Sequence, residues 1–431
     1  MAEDCTVVKF SRDPSLARIE NLKQTDNVDK FAENEHNFGV FYVTCIALSI
    51  ITYVLDIALA CILLYVYYVN QYRVDFALTV SFMLLSALFT TAISLRWYIV
   101  DHDDPSLGRT SVFHWVVRIV FLLLQLSPLL RYIDTLIYGI KSKIAGATDN
   151  ENQQTTLYRR MLDEDTNGAL LRLFHCFLHS APQAVIQLMI LLRHMSSSDI
   201  NKTRKELSTD VAVIQSWTVL AALMSIAWSL TTYHRSVRYA RDDKDKIKWG
   251  GIVVAFSWQL MSALSRVLAL SLLASIFPAW MGCVCALHWV VMSVWLTLTQ
   301  HNSSACTNRC EEFFLSAALG LAYVLAFISP RDGPTRYVYL AYYLVCFMEN
   351  TGALVVWCIS SNSNENPFLY YGAASAQVIA FLLAIAFLII YYKYCHPSLK
   401  NRSKIPSLDS SECLEIDKPG YSRSYNVRTR S

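Results

Sequence analysis

The chain has 431 residues, 54% hydrophobic and only 16% charged, with a formal net charge of +3. Its mean hydropathy is +0.32. Such a composition argues against a disordered chain and against a single soluble domain, and the small charge excess, with no basic aromatic groove, argues against a nucleic-acid partner.

Residues 1–40 contain Lys9, Arg12, Asp13, Lys23 and Asp29 and no apolar core. They are read as a cytoplasmic N-terminal segment, not a cleavable signal peptide, which leaves targeting to the first span. Ten hydrophobic segments follow: Phe41–Val69, Phe76–Val100, Val112–Tyr138, Ala169–Met195, Val211–Tyr233, Trp249–Phe277, Ala279–Thr299, Phe313–Ile328, Tyr337–Ile359 and Phe368–Tyr394. Spanning the hydrocarbon core takes about 20 apolar residues, and helices satisfy their backbone groups internally. The expectation is an all-α polytopic membrane domain over residues 41–395, followed by a polar, cytoplasmic tail over 396–431 that reads as disordered.

Loop charge limits the number of crossings. His234–Lys248 carries Arg235, Arg238, Arg241, Lys244, Lys246 and Lys248, which marks it as cytoplasmic. Five full crossings from a cytoplasmic N-terminus would put that loop outside. The third segment, with His114, Arg118, Gln125, Pro128, Arg131 and Asp134, suits a half-membrane re-entrant hairpin buried in protein. The eighth, Phe313–Ile328, is the shortest and also stands third of five. Eight transmembrane helices and two partial ones, in two related halves, then place both termini inside. This map exposes Asn201, in the sequon Asn201-Lys202-Thr203, to glycosylation and keeps the sequons at Asn302 and Asn401 cytoplasmic.

The fourth segment holds the main candidate site. Arg172, His175, His179, Gln183 and Gln187 fall within a sector of roughly 120° at about 100° per residue, one polar stripe on an apolar helix. Such a stripe supplies hydrogen-bonding groups along a polar route through the membrane; packing against other helices with internal hydrogen bonds explains it too. Asp56, Arg266, and Glu349 with Asn350 lie near the centres of the first, sixth and ninth segments, where each ionisable group costs roughly 2.5–3.5 kcal/mol. With Gln259, on the same face as Arg266, they read either as walls of a polar pathway or as structural partners, Arg266 pairing with Asp56 or Glu349. His175 and His179 have a metal-like i, i+4 spacing but no third ligand nearby, so no metal is expected. Pro182 frees the Leu178 carbonyl and predicts a kink. Cys283 or Cys285 is a candidate to pair with Cys358. There is no GxSxG, glycine-rich phosphate loop or paired-Cys zinc signature, so neither an enzyme nor a cofactor is expected.

Five blocks, RLFHCFLHSAPQAVIQL (172–188), TYHRSVR (232–238), SRVLALSLLASIFPAW (265–280), TRYVYLAYYLVCFMENTGALVVW (335–357) and YYKYCHP (391–397), resemble the XK-related family in order and spacing. The resemblance runs from about Phe41 to Pro397. It implies eight membrane-spanning helices and two partial ones. It also implies a function, since several members are plasma-membrane phospholipid scramblases and some are switched on by caspase cleavage of a terminal tail. The partners so implied are membrane phospholipids, an accessory membrane protein or lipid-transfer protein, and a caspase. Leu414-Glu415-Ile416-Asp417 resembles a caspase-preferred tetrapeptide, making Asp417 a candidate cleavage point, with Asp409 a second. One departure stands out: where the family reads acids, as in LFExFLExxPQ, this chain has His175 and His179. Ion or solute transport, and a nonconducting scaffold, remain open alternatives.

Overall fold

The computed structural model describes residues 38–103, 112–123, 126–148, 150–196, 209–240, 246–300, 309–327, 336–361 and 367–395. Within them the helices are α1 (Val40–Val69), α2 (Arg73–Asp103), α3 (Val112–Leu123), α4 (Ser127–Ala147), α5 (Glu151–His175), α6 (Ala181–Ser196), α7 (Thr209–Tyr239), α8 (Trp249–Ile276), α9 (Pro278–Gln300), α10 (Arg309–Tyr323), α11 (Arg336–Ser360) and α12 (Pro367–Ile390). A π-turn, Cys176–Ser180, fuses α5 and α6 into one rod. Counting that rod once, eight helices among the described residues are long and apolar enough to cross a membrane. The chain is an all-α polytopic membrane protein. The helices outside the eight are α3, α4 and α10, which occupy the third and eighth hydrophobic segments.

Local sequence explains the tight connections. α1 stops where Gln71 takes a left-handed φ of 62°, and the Tyr72 N–H donates to the Tyr67 carbonyl at 3.0 Å. That cap satisfies a terminal carbonyl and turns the chain directly into antiparallel α2. Only Phe277 separates α8 from Pro278, and proline suits a helix start because the N–H it lacks would have no partner there.

The polarity of the bundle is inverted relative to a soluble protein. Leu88, Leu287, Phe368 and Leu382 are exposed, whereas Arg131, Arg172 and Arg235 are among the largest fully buried side chains. That is the arrangement lipid imposes, with apolar groups outward and ionisable groups paired within. α1 packs along α7 and α12 along α8, and the two halves join where α8 meets α6 and α7.

Three expectations change. The third segment breaks near Leu126, and Pro128 opens a helix that runs on to Ala147 and packs along α5. Its ionisable groups find protein partners, Arg131 with Glu164 at 2.7 Å and Asp134 with the Tyr98 hydroxyl at 2.9 Å. The fourth helix starts at Glu151, well before Ala169. Its first turns are too polar to register as a span and are held by packing against α4. Finally, Arg235 and Arg238 belong to α7. Arg235, counted among the loop cations, is buried and paired with Asp165, so the exposed basic stretch is shorter than the sequence suggests.

The cysteine pairing is also corrected. Cys283, Cys285 and Cys358 are free thiols. Cys358 packs beside Leu192, Leu272 and Trp357, while Cys285 lies against a different cluster of the core. Asn201, Asn302, Asn401, Asp409 and Asp417 lie outside the described residues.

Candidate functional site: two buried polar clusters

The stripe on α5 and α6 turns inward, and all five residues are buried. At its α5 end, Arg172 donates to the Ser49 carbonyl and to Thr52 Oγ1 at 2.6 Å, both on α1, and to Ser225 Oγ on α7 at 3.4 Å. One turn on, His175 Nδ1 lies 3.1 Å from Ser86 Oγ of α2. Its Nε2 is 3.7 Å from the Asp56 carboxylate on α1, and the ring of Tyr53 meets it edge-on at 5.0 Å.

The π-turn carries His179 and Ser180 to the same carboxylate region, and the Ser180 hydroxyl donates to Asp56. The His175 and His179 rings lie 5.1 Å apart, and His179 Nδ1 has no hydrogen-bond partner among the described residues. The expected kink therefore takes the form of a widened turn: the Ala181 N–H reaches back to the Cys176 carbonyl, just before proline removes the next donor.

Beyond Pro182 the column continues. Gln183 Nε2 donates to the Thr79 carbonyl on α2 at 3.2 Å, and Gln187 Nε2 donates to Gln183 Oε1 at 2.9 Å. Gln187 Oε1 accepts from the Tyr67 hydroxyl, which in turn accepts from Gln215 Nε2 of α7 at 2.7 Å. From Arg172 to Gln187 the stripe extends about 22 Å at helical rise, most of the ~30 Å hydrocarbon core.

A second cluster occupies the other half. Arg266 of α8 donates to Glu349, to Asn350 Oδ1 at 3.0 Å, both on α11, and through Nε to the Val324 carbonyl after α10 at 2.8 Å. His288 Nδ1 of α9 lies 2.8 Å from the other Glu349 oxygen. Asn350 Nδ2 reaches Ser265 Oγ at 3.3 Å.

Asp56, Arg172, His175, His179, Gln183 and Gln187 thus come together in one column, and Arg266, Glu349 and Asn350 in a second site. Of the two partners open to Arg266, the structure selects Glu349. Gln259 stands apart, buried on α8 with an Nε2 that has no partner among the described residues. Sequence reasoning missed His288, the Asp165–Arg235 pair, and the neutral groups Ser86, Thr79, Tyr67 and Gln215. A histidine midway along an apolar helix was the one signal for His288. The others are ordinary residues until the helices meet. Among the described residues, no three His, Cys, Asp or Glu side chains converge as a metal site.

Eight crossing-length helices enclosing two ion-containing polar clusters define a polytopic membrane protein with a polar interior. The chain matches the XK-related protein family over residues 44–397, and it belongs to that family. It is similar to cell death abnormality protein 8 of Caenorhabditis elegans, 27% identical over 354 residues, covering 79% of this chain and 75% of that one. The Caenorhabditis briggsae protein of the same name is 24% identical over 389 residues, covering 87% and 83%.

Proposed function

We propose that this chain is a phospholipid scramblase, exchanging lipids between the leaflets of the plasma membrane down their gradient, with both termini in the cytoplasm. The observation that carries the reading is the length of the polar column. An isolated structural ion pair needs one site, whereas groups strung along about 22 Å of helix match what a headgroup requires while its acyl tails stay in lipid. Family membership and relatives named for cell death abnormality support the same reading, and point to phosphatidylserine exposure in dying cells.

In the described conformation the column is closed, since its groups bond to α1, α2 and α7. Headgroup passage therefore requires α1 and α2 to part from the α5–α6 rod, and the π-turn at Cys176–Ser180 is the natural place for that rod to flex. No nucleotide, metal or cofactor is needed. A caspase acting at Asp417, and an accessory membrane protein or lipid-transfer protein, are proposed as partners on the family resemblance.

The test is the paired substitution Gln183→Leu with Gln187→Leu, in protein that folds and reaches the cell surface. Phosphatidylserine exposure after an apoptotic stimulus should fall well below wild type. Unchanged exposure would make the column a packing device.

A further inference from the structure

The second cluster bridges a gap. α9 and α11 both pack on α8 but scarcely touch each other. α10 and the turn after it pack on α11: Tyr323 lies 6.4 Å from Tyr342, and Phe327 4.5 Å from Tyr339. α10 also lies against α9 beside the cluster, where Trp289 Nε1 donates to the Ala317 carbonyl at 2.8 Å, and the Val324 carbonyl meets Arg266. Among the described residues, the hydrogen bond that joins α9 directly to α11 is between His288 and Glu349.

Exposure within the bridge is uneven. Glu349 keeps 25% of its side chain exposed, against 4% for Arg266 and 3% for His288. On the same stretch of α11, a Cβ at Gly352 would meet nothing within 4 Å, and Leu287 and Met348 beside the bridge are exposed. Arg266 and His288 therefore sit behind, and the carboxylate is on the exposed side. A carboxylate offers about four lone-pair sites. Arg266 uses one oxygen and His288 the other, which leaves acceptor capacity on the open side.

We propose that Glu349 is a docking point for the ammonium group of a phospholipid headgroup, reached laterally from the bilayer between α9 and α11, with Arg266 and His288 as positioning residues that hold the carboxylate outward. The proposal rests on the scramblase reading and adds the headgroup chemistry of one step. A phosphate is the poorer fit, because the position facing Arg266 and His288 is already taken by a carboxylate.

The test is binding, so that it does not depend on lipid exchange. Purified protein is offered phosphatidylethanolamine or phosphatidylglycerol of identical acyl chains, and retained lipid is counted by native mass spectrometry. Wild type should retain the ethanolamine lipid at least about tenfold better, the scale of one charge-assisted hydrogen bond. Glu349→Gln with Arg266→Gln, which removes both charges and keeps a polar bridge, should abolish the preference. His288→Gln, which leaves the Arg266–Glu349 pair intact, should weaken it. Equal retention by wild type, stronger retention of phosphatidylglycerol, or a preference surviving the double substitution would overturn the proposal. A preserved ethanolamine preference in protein that moves no lipid would instead remove the scramblase reading and leave the site standing.

Discussion

Replacing Asp165 with Asn tests how α5 and α7 are locked together. Arg235 Nη2 donates to both Asp165 oxygens, at 3.0 and 2.8 Å, and the Ser236 hydroxyl donates to the same carboxylate at 2.8 Å. Both members of the pair are at most 2% exposed. Nε and Nη1 of Arg235 have no hydrogen-bond partner among the described residues, so the guanidinium depends on Asp165, on Ser236 Oγ at 3.3 Å and on the rings of Tyr42 and Tyr239, 5.3 and 5.8 Å away. Asp165→Asn keeps the shape and leaves the cation buried without its counter-charge, a loss of about 3–5 kcal/mol. Replacing both partners, Asp165→Leu with Arg235→Met, removes the charge that needed compensation and should cost less than the single change. Reversible unfolding in mixed micelles across a denaturing-detergent titration measures both. A single variant within about 1 kcal/mol of wild type, or a double variant worse than the single, would refute the reasoning.

Gly320 lets α10 approach α9, since a Cβ there would lie 3.0 Å from the Ser293 nitrogen and closer still to its hydroxyl. Gly320→Val should therefore destabilise by about 1–3 kcal/mol in the same titration, as overpacking does, and an unchanged midpoint would contradict the close contact. The crossing map is tested by glycosylation: an electrophoretic shift lost in Asn201→Gln agrees with it, and modification at Asn401 would place the tail outside.

Helices whose apolar stretch is itself a span could be found from sequence, and each of the eight crossing-length helices contains most of a segment so identified. Loop charge singled out one segment of each half as not crossing, and the structure leaves α3, α4 and α10, which occupy the third and eighth segments, outside the eight crossing-length helices. Glu151 could not be found as a helix start by the same means, because its first turns owe their order to α4 and not to lipid. Arg235 looked like a loop cation because its partner, Asp165, lies 70 residues away. The inward stripe was visible because five polar residues share a helical face; its partners on α1, α2 and α7 were not, because Ser49, Thr79 and Ser86 carry no signal until helices converge. The choice between Asp56 and Glu349 as partner of Arg266 was likewise a tertiary question. The fold separates the two acids by half, giving Asp56 to His175 and Glu349 to Arg266.

Lipid flux by the purified protein bears most directly on the central claim. The chain, full-length and with the segment after Asp417 removed, is reconstituted into liposomes containing a fluorescent phospholipid, and a membrane-impermeant reductant bleaches the label exposed outside. The account predicts that label from the inner leaflet becomes bleachable in vesicles holding the protein, for the truncated chain at least, and that Gln183→Leu with Gln187→Leu slows this exchange. Bleaching confined to the outer leaflet for both forms, in vesicles shown to contain folded protein, would contradict it.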